Sequence, residues 1–127
     1  MNFEKLEVWK RASALSAEVY IELKALKDFG FKDQITRSGL SVPSNIAEGI
    51  ERETEKDVIR FLTIAKSSAA EFVTQTYIGM KIGYIPKETG KAWVAESKAL
   101  SKMIGAMIKT RRLRMEIKEP EELYAVE

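Results

Sequence analysis

The sequence predicts an all-α fold, an antiparallel up-down-up-down four-helix bundle, on three observations. Apolar residues recur at steps of three and four through four long segments, which is the spacing of one face of an α-helix. Only three prolines and seven glycines interrupt the 127 residues. No segment combines strand-like alternation with turn residues. Short connections between long helices make consecutive helices antiparallel neighbours.

The first two helices are predicted from their apolar faces and from the residues that interrupt them. The first face runs from Leu6 to Leu26. The helix is expected to end just before Gly30, because glycine readily adopts a left-handed cap conformation. The second helix spans about residues 31–50 and contains Pro43. Proline removes a backbone donor and clashes with the preceding turn, so we predict a kink in this helix near Pro43.

The third helix is predicted from Thr54 to about Gly83, with Thr54 as its N-cap and Asp57 completing an imperfect capping box. Between residues 61 and 85 only three residues are charged. They are Lys66, Glu71 and Lys81. A helix that is apolar nearly all round must be covered on more than one side. The rest of a small domain can cover only one side of this helix well.

The fourth helix is predicted over residues 86–112 and is strongly basic. This segment carries seven Lys or Arg against two acidic residues, whereas residues 113–127 carry two basic and five acidic residues. Basic residues in its last turn suit the negative end of a helix dipole. We therefore divide the chain into a bundle domain, residues 1–112, and an acidic C-terminal tail, residues 113–127.

The composition excludes most catalytic chemistry. The chain has no cysteine and no histidine, which removes thiolate catalysis, thiolate metal sites, the commonest general base and the commonest transition-metal ligand. Glycine-rich phosphate-binding motifs are also missing from the sequence. We therefore predict a non-enzymatic protein without catalytic residues, bound metal or cofactor.

The acidic residues are interpreted structurally. Glu48, Glu51, Glu53 and Glu55 cluster in the sequence, and we interpret them as a solvated helix end. Glu71 is nearly alone on an apolar helix, and a buried acid needs a partner. Arg37 and Lys66 are the two candidates for an ion pair with Glu71, which we favour over ligand contact or catalysis.

The segment 34–49 mixes small, polar and helix-breaking residues within an apolar pattern. One interpretation is a kinked helix whose polar side chains satisfy the backbone groups that Pro43 frees. The other is a polar site for a ligand or partner. The predicted structural polar cluster consists of Arg37, Ser41, Asn45, Glu48 and Glu71.

Several motifs over residues 3–112 resemble those of the four helix bundle protein family. Members are encoded in intervening sequences of bacterial 23S ribosomal RNA genes, and the family is similar to the accessory variability protein of diversity-generating retroelements. The resemblance implies a ring-like homopentamer and a basic surface that binds nucleic acid and a partner protein. The matching motifs are Leu6-Glu7-Val8-Trp9-Lys10, Gln34-Ile35 with Arg37, Ser41–Gly49 with Arg52, Phe61-Leu62 with Ile64-Ala65, and Gly83-Tyr84-Ile85.

The fourth helix carries the candidate nucleic-acid site. Lys91, Lys98, Lys102 and Lys109 step by seven, four and seven residues, so they form one stripe of the helix. We expect binding to the phosphate backbone that is weakly specific and salt-sensitive, with Lys5 and Arg11 extending the stripe if the first and fourth helices are neighbours. The alternative is a solvated basic face without a ligand. The predicted nucleic-acid-binding residues are Lys87, Lys91, Lys98, Lys102, Lys109, Arg111 and Arg112.

Three functions remain open from the sequence. The first is a homo-oligomer, with a pentamer favoured, that binds RNA or DNA. The second is a scaffold for a partner protein without nucleic-acid binding. The third is a bundle that binds a small ligand through Arg37, Asn45 and Glu71. The first residues predict no signal peptide and no stretch reaches the ~18 apolar residues of a membrane span, so a cytoplasmic protein is expected.

Overall fold

The computed structural model describes the backbone of residues 2–126 and the side chains of residues 2–117. No strand occurs within residues 2–126, so the predicted all-α four-helix fold is confirmed. A short 3₁₀ turn at Phe3–Lys5 precedes four helices, α1 at Glu7–Glu22, α2 at Phe29–Ile50, α3 at Glu55–Lys81 and α4 at Lys87–Val126.

Side-chain caps fix where α2 and α3 begin. The Phe31 N–H donates to Asp28 Oδ1 at 3.1 Å, and the Asp57 N–H donates to Thr54 Oγ1 at 3.2 Å. The Phe31 N–H and then the Tyr84 hydroxyl hold the pKa of Asp28 below its ordinary value. Because Asp28 caps α2, the chain leaves the helical conformation before it. The first helix ends at Glu22, earlier than predicted, and a turn at residues 23–25 follows it.

The turn between α3 and α4 is a Schellman motif centred on Gly83. Gly83 has φ of 80°, a left-handed conformation that costs other residues about 1–2 kcal/mol. The Tyr84 N–H donates to the Gly79 carbonyl at 2.9 Å and the Gly83 N–H donates to the Met80 carbonyl at 3.2 Å. These bonds satisfy carbonyls at the end of α3 and direct the chain straight back into α4.

The second helix continues through Pro43, which is itself buried. The helical turn around Pro43 contains an additional hydrogen bond, in which Asn45 Nδ2 donates to the Ser41 carbonyl at 2.8 Å. Arg37 does not take part, since its Nε donates to Asp33 at 3.0 Å. The bend at Pro43 stays a prediction.

The last helix is longer than predicted, since α4 continues past Arg112 to Val126. Residues 113–117 are helix-forming and contain neither glycine nor proline, so nothing in them terminates the helix. The acidic tail predicted for residues 113–127 is thus helical in its described backbone. Most of its acidic side chains lie beyond residue 117, outside the described side chains.

In the contacts between α2 and α3 and between α3 and α4, residue numbers rise along one helix while they fall along its neighbour. Glu55 near the start of α3 meets Arg111 in α4, and the Ser97 hydroxyl donates to the Ala69 carbonyl at 3.1 Å. Ser41 of α2 pairs with Ser68 of α3 at 2.8 Å. The contacts between α3 and α4 show that these two helices are antiparallel. Ser38 of α2 also contacts Gln75 of α3, so α2 and α3 are antiparallel as well. The direction of α1 relative to the others stays a prediction.

The core lies between the four helices. All four contribute to one continuous apolar cluster. Its largest fully buried members are Trp93, Phe72, Ile35, Ile46, Leu62, Ile85, Leu100 and Ile104. Helix α1 packs on both α2 and α4, and α3 packs on both α2 and α4. Each pair therefore leaves a groove on the surface, and the α3/α4 groove carries the candidate site.

Candidate nucleic-acid interface

The α4 lysines line the side of the α3/α4 groove. Lys87, Lys91, Lys98, Lys102 and Lys109 are all exposed. At 1.5 Å rise per residue, the stripe from residue 91 to residue 109 is roughly 27 Å long. Within the part of the chain described, none of these ammonium groups lies within ion-pair distance of a carboxylate.

Helix α3 adds basic residues to the same face. Lys66 lies across α4 at Gly105, where an added Cβ would meet its Nζ at 3.6 Å. The missing side chain at Gly105 leaves room for this close crossing. Lys81 is exposed and lies four residues after Tyr77, one turn along the α4-facing side of α3. We call the surface formed by Lys66, Lys81, Tyr77 and the five α4 lysines the basic face.

The end of the basic face near Lys109 contains a groove of about 500 Å³. Lys66, Lys109 and Arg112 surround it with positive charge, and Glu116 supplies one acidic group. The floor around Gly105 and Ile108 is uncharged. A groove of this kind suits a phosphate group, because cations surround it while small and apolar residues leave space for the anion.

Arg111 was predicted to bind nucleic acid, but the structure places it in an ion pair. Its Nη1 donates to Glu55 Oε1 at 3.2 Å and to Oε2 at 3.3 Å. Both side chains are only about one-fifth exposed, at 21% and 22%. This bond joins the start of α3 to α4. The sequence prediction missed it because the two residues are far apart along the chain.

Arg11 was expected to extend the lysine stripe, but it lies in the α1/α4 groove beside Trp93. Its Nε donates to Glu96 Oε2 at 3.0 Å. The hydrogen bonds from Arg11 hold the pKa of Glu96 below its ordinary value, and Glu96 in turn raises the pKa of Arg11. Arg11 therefore ties α1 to α4 and leaves the α4 lysines as the main cations on the other side.

The predicted polar cluster is only partly brought together. Ser41 Oγ bonds to Ser68 Oγ at 2.8 Å, and Asn45 Nδ2 donates to the same Ser41 Oγ at 2.9 Å. These three side chains form a half-buried network between α2 and α3. Glu48 instead forms an ion pair with Arg52, which follows the end of α2.

Glu71 was predicted to be buried and paired, and the structure shows it exposed. No hydrogen bond or ion pair among the described side chains joins it to Arg37 or Lys66. The reason is its position on the outward side of α3, where water solvates the carboxylate. Arg37 and Asn45 each form hydrogen bonds within α2, and a ligand site formed by Arg37, Asn45 and Glu71 stays a prediction.

No group of three acidic side chains in the described part of the molecule is close enough to hold a metal ion. None of the helices as described is long and apolar enough to cross a bilayer.

The fold and the basic face define a small all-α bundle with a positively charged groove. Residues 4–106 match the family described as 23S rRNA-intervening sequence protein, and the chain belongs to that family.

One solved structure is similar over most of both chains. It is a protein with unknown function from the S23 ribosomal protein family of Bacteroides thetaiotaomicron, with 26% sequence identity and a TM-score of 0.76. The similarity covers 80% of this chain and 98% of that chain, so the bundle is common to both. No curated protein matches this sequence.

Proposed function

We propose that the protein is a non-enzymatic bundle that binds RNA or DNA through the basic face. The observation that carries this proposal is the row of exposed α4 lysines without ion pairs in the described part of the chain. Unpaired cations along one groove create a field that attracts a polyanion. Because the family is described by a 23S rRNA-intervening sequence, RNA is the first probe to use.

Binding of this kind is driven by the phosphate backbone. Lysine ammonium groups act as point charges without the planar fork that reads a guanine edge. Phosphate contacts position a strand but carry no sequence information. The expected behaviour is therefore weak sequence preference and strong dependence on salt.

The salt dependence of RNA affinity tests the proposal. If the five α4 lysines each neutralise one phosphate, the slope of log K against log salt is about −3.5 for a single strand. The affinity then falls roughly a hundredfold between about 50 mM and about 200 mM salt. Fluorescence anisotropy of a labelled RNA measures this slope directly. Nucleic-acid binding would be overturned if the protein binds no RNA at low salt, or if its RNA affinity does not change with salt concentration.

We propose in addition that the protein is a homo-oligomer, with a pentamer favoured. The support is a set of exposed apolar residues on the outer side of α3, where Ile78 and Ile82 are 48% and 51% exposed one turn apart and Ile64 is 40% exposed on the far side of the exposed Glu71. Large exposed apolar residues grouped on one helix commonly mark an interaction surface.

Light scattering on a sizing column tests the assembly, with absorbance followed at two wavelengths so that nucleic acid is detected. A pentamer has a mass near five times 14.4 kDa. We expect copurified nucleic acid to leave at high salt while this mass is kept. A monomer at all concentrations would contradict the oligomer but leave the basic face of one chain intact.

A second candidate function is a scaffold for a partner polypeptide, and one observation favours it. The α1/α2 groove has a volume of about 700 Å³ and is bordered by Tyr20 and Phe29. These side chains are 45% and 69% exposed. Exposed aromatic residues beside a groove are typical anchors for a protein partner. A flat salt series for RNA would favour this function over the first.

A further inference from the structure

The basic face contains an aromatic ring that the sequence pattern did not place there. Tyr77 of α3 is 48% exposed, and the Lys98 ammonium of α4 lies 6.0 Å from its ring centre. The sequence of α4 alone predicts lysines without an aromatic partner, because Trp93 lies on its apolar stripe. The α3/α4 packing supplies that partner from the neighbouring helix.

Apart from the Lys98 ammonium that lies over it, the surroundings of the ring leave it accessible to a planar group. Helical side chains point toward the helix N-terminus, so Tyr77 lies over the preceding turns of α3. The residues there on the exposed side are Ala70 and Thr74, which are small, uncharged and exposed. The nearest charged residues along this side of α3 are the cations Lys66 and Lys81.

Resting on the nucleic-acid binding proposed above, we infer that Tyr77 stacks on a nucleobase and that the basic face takes an unpaired strand. In a duplex the internal base faces are covered by their neighbours, so a lone ring has nothing to stack on. A single strand exposes those faces and lets its phosphates follow the lysine row. An aromatic ring beside a cationic groove is the arrangement used by proteins that bind single strands without sequence preference.

The positive charge around the Tyr77 ring also favours an unpaired nucleic-acid strand. The Lys98 ammonium lies over the ring, so a base stacks there by displacing this flexible side chain, and Lys91 and Lys102 lie one to two turns along α4 in either direction. A base stacked on Tyr77 thus leaves its flanking phosphates within reach of ammonium groups on both sides. Phosphate contacts and stacking then act on one strand at the same time.

The test compares single-stranded and duplex RNA on matched tyrosine variants. The probes are a labelled RNA of roughly a dozen nucleotides, a length typical for such grooves, and the duplex formed from it. The test variant is Tyr77→Leu, which keeps an apolar side chain of similar reach. The control is Tyr20→Leu, because Tyr20 is 45% exposed but lies in the α1/α2 groove.

We expect the wild-type protein to bind the single strand more tightly than the duplex. Tyr77→Leu should lower single-strand affinity about 5- to 100-fold, the range for loss of one stacked base, and leave duplex affinity unchanged. Tyr77→Phe should restore single-strand binding, since the ring is retained. Tyr20→Leu should change neither affinity. Circular dichroism spectra and melting curves confirm that each variant is folded.

Two results would overturn this inference while leaving the proposed function standing. One is equal, salt-sensitive affinity of the wild type for both RNAs. The other is equal loss of both affinities in Tyr77→Leu. A third result, no salt-sensitive binding of either RNA by the wild type, would overturn the proposed function together with the inference.

Discussion

Replacing Trp93 by alanine is expected to lower the free energy of unfolding by about 3–5 kcal/mol, the cost of truncating a buried tryptophan. Trp93 is the largest fully buried side chain, with 1% exposure, and its ring centre lies 6.1 Å from that of Phe72. It also lines the α1/α4 groove beside Arg11. Alanine would therefore leave a cavity where α4 packs against both α1 and α3.

Two further variants separate the sources of this effect. Among the described residues, Trp93 Nε1 has no hydrogen-bond acceptor, so Trp93→Phe removes an unsatisfied donor as well as volume. Its expected cost is only about 1–2 kcal/mol. Trp9→Ala removes a partly buried tryptophan that packs on Phe3, and should cost less than Trp93→Ala. Urea unfolding followed by circular dichroism measures all three. Equal costs for Trp93→Ala and Trp9→Ala would contradict the central position of Trp93.

The fold was predictable because each helix is specified by local residues. The apolar spacing gives the helix type, Thr54 gives the start of α3, and Gly83 gives its end. Such signals act over one or two turns and are visible in a single sequence. The end of α4 was missed for the same reason. The predicted boundary followed a change in net charge near residue 112, but charge does not end a helix when the residues that follow are helix-forming.

The candidate site was predictable only in part, because half of it depends on helix register. The lysine stripe of α4 follows from spacing within one helix. Lys66 and Tyr77 join it through the packing of α3 on α4, which no local pattern shows. The ion pair of Arg111 was missed because its partner, Glu55, lies on another helix, and its nucleic-acid contact stays a prediction. The exposure of Glu71 was missed because the few charges on α3 suggest burial there, whereas the side of the helix that carries Glu71 is not covered by the other helices.

Two opposite sides of α4 carry charged groups with different roles. On one side, Glu96 accepts hydrogen bonds from Arg11 and ties α1 to the bundle. On the other, the lysines Lys98 and Lys102 lie exposed beside α3. Since Glu96 faces α1, it does not neutralise the lysine row. This separation makes the row a set of residues that can be changed without breaking a described ion pair.

Charge reversal of Lys91, Lys98 and Lys102 to glutamate is expected to reduce RNA affinity about a thousandfold at low salt. The change removes three attractive contacts and adds three repulsive ones, and about 4 kcal/mol of lost binding free energy corresponds to that factor. All three side chains are exposed, and lysine and glutamate have similar helix propensities. Melting temperature and helix content should therefore change little.

The matched control reverses Lys10, Lys24 and Lys27, which are exposed residues of α1 and the turn after it. Both triple variants shift the formal net charge of +2 by the same amount, so any difference between them reports position and not total charge. We expect the control to lose only the small, long-range part of the attraction, which salt screens over about 10 Å. Equal losses in the two variants would mean that net charge alone drives binding and that the basic face is not the site. A large loss confined to the α4 variant would locate the strand on the α3/α4 groove, because that groove is where its three lysines share a surface with α3.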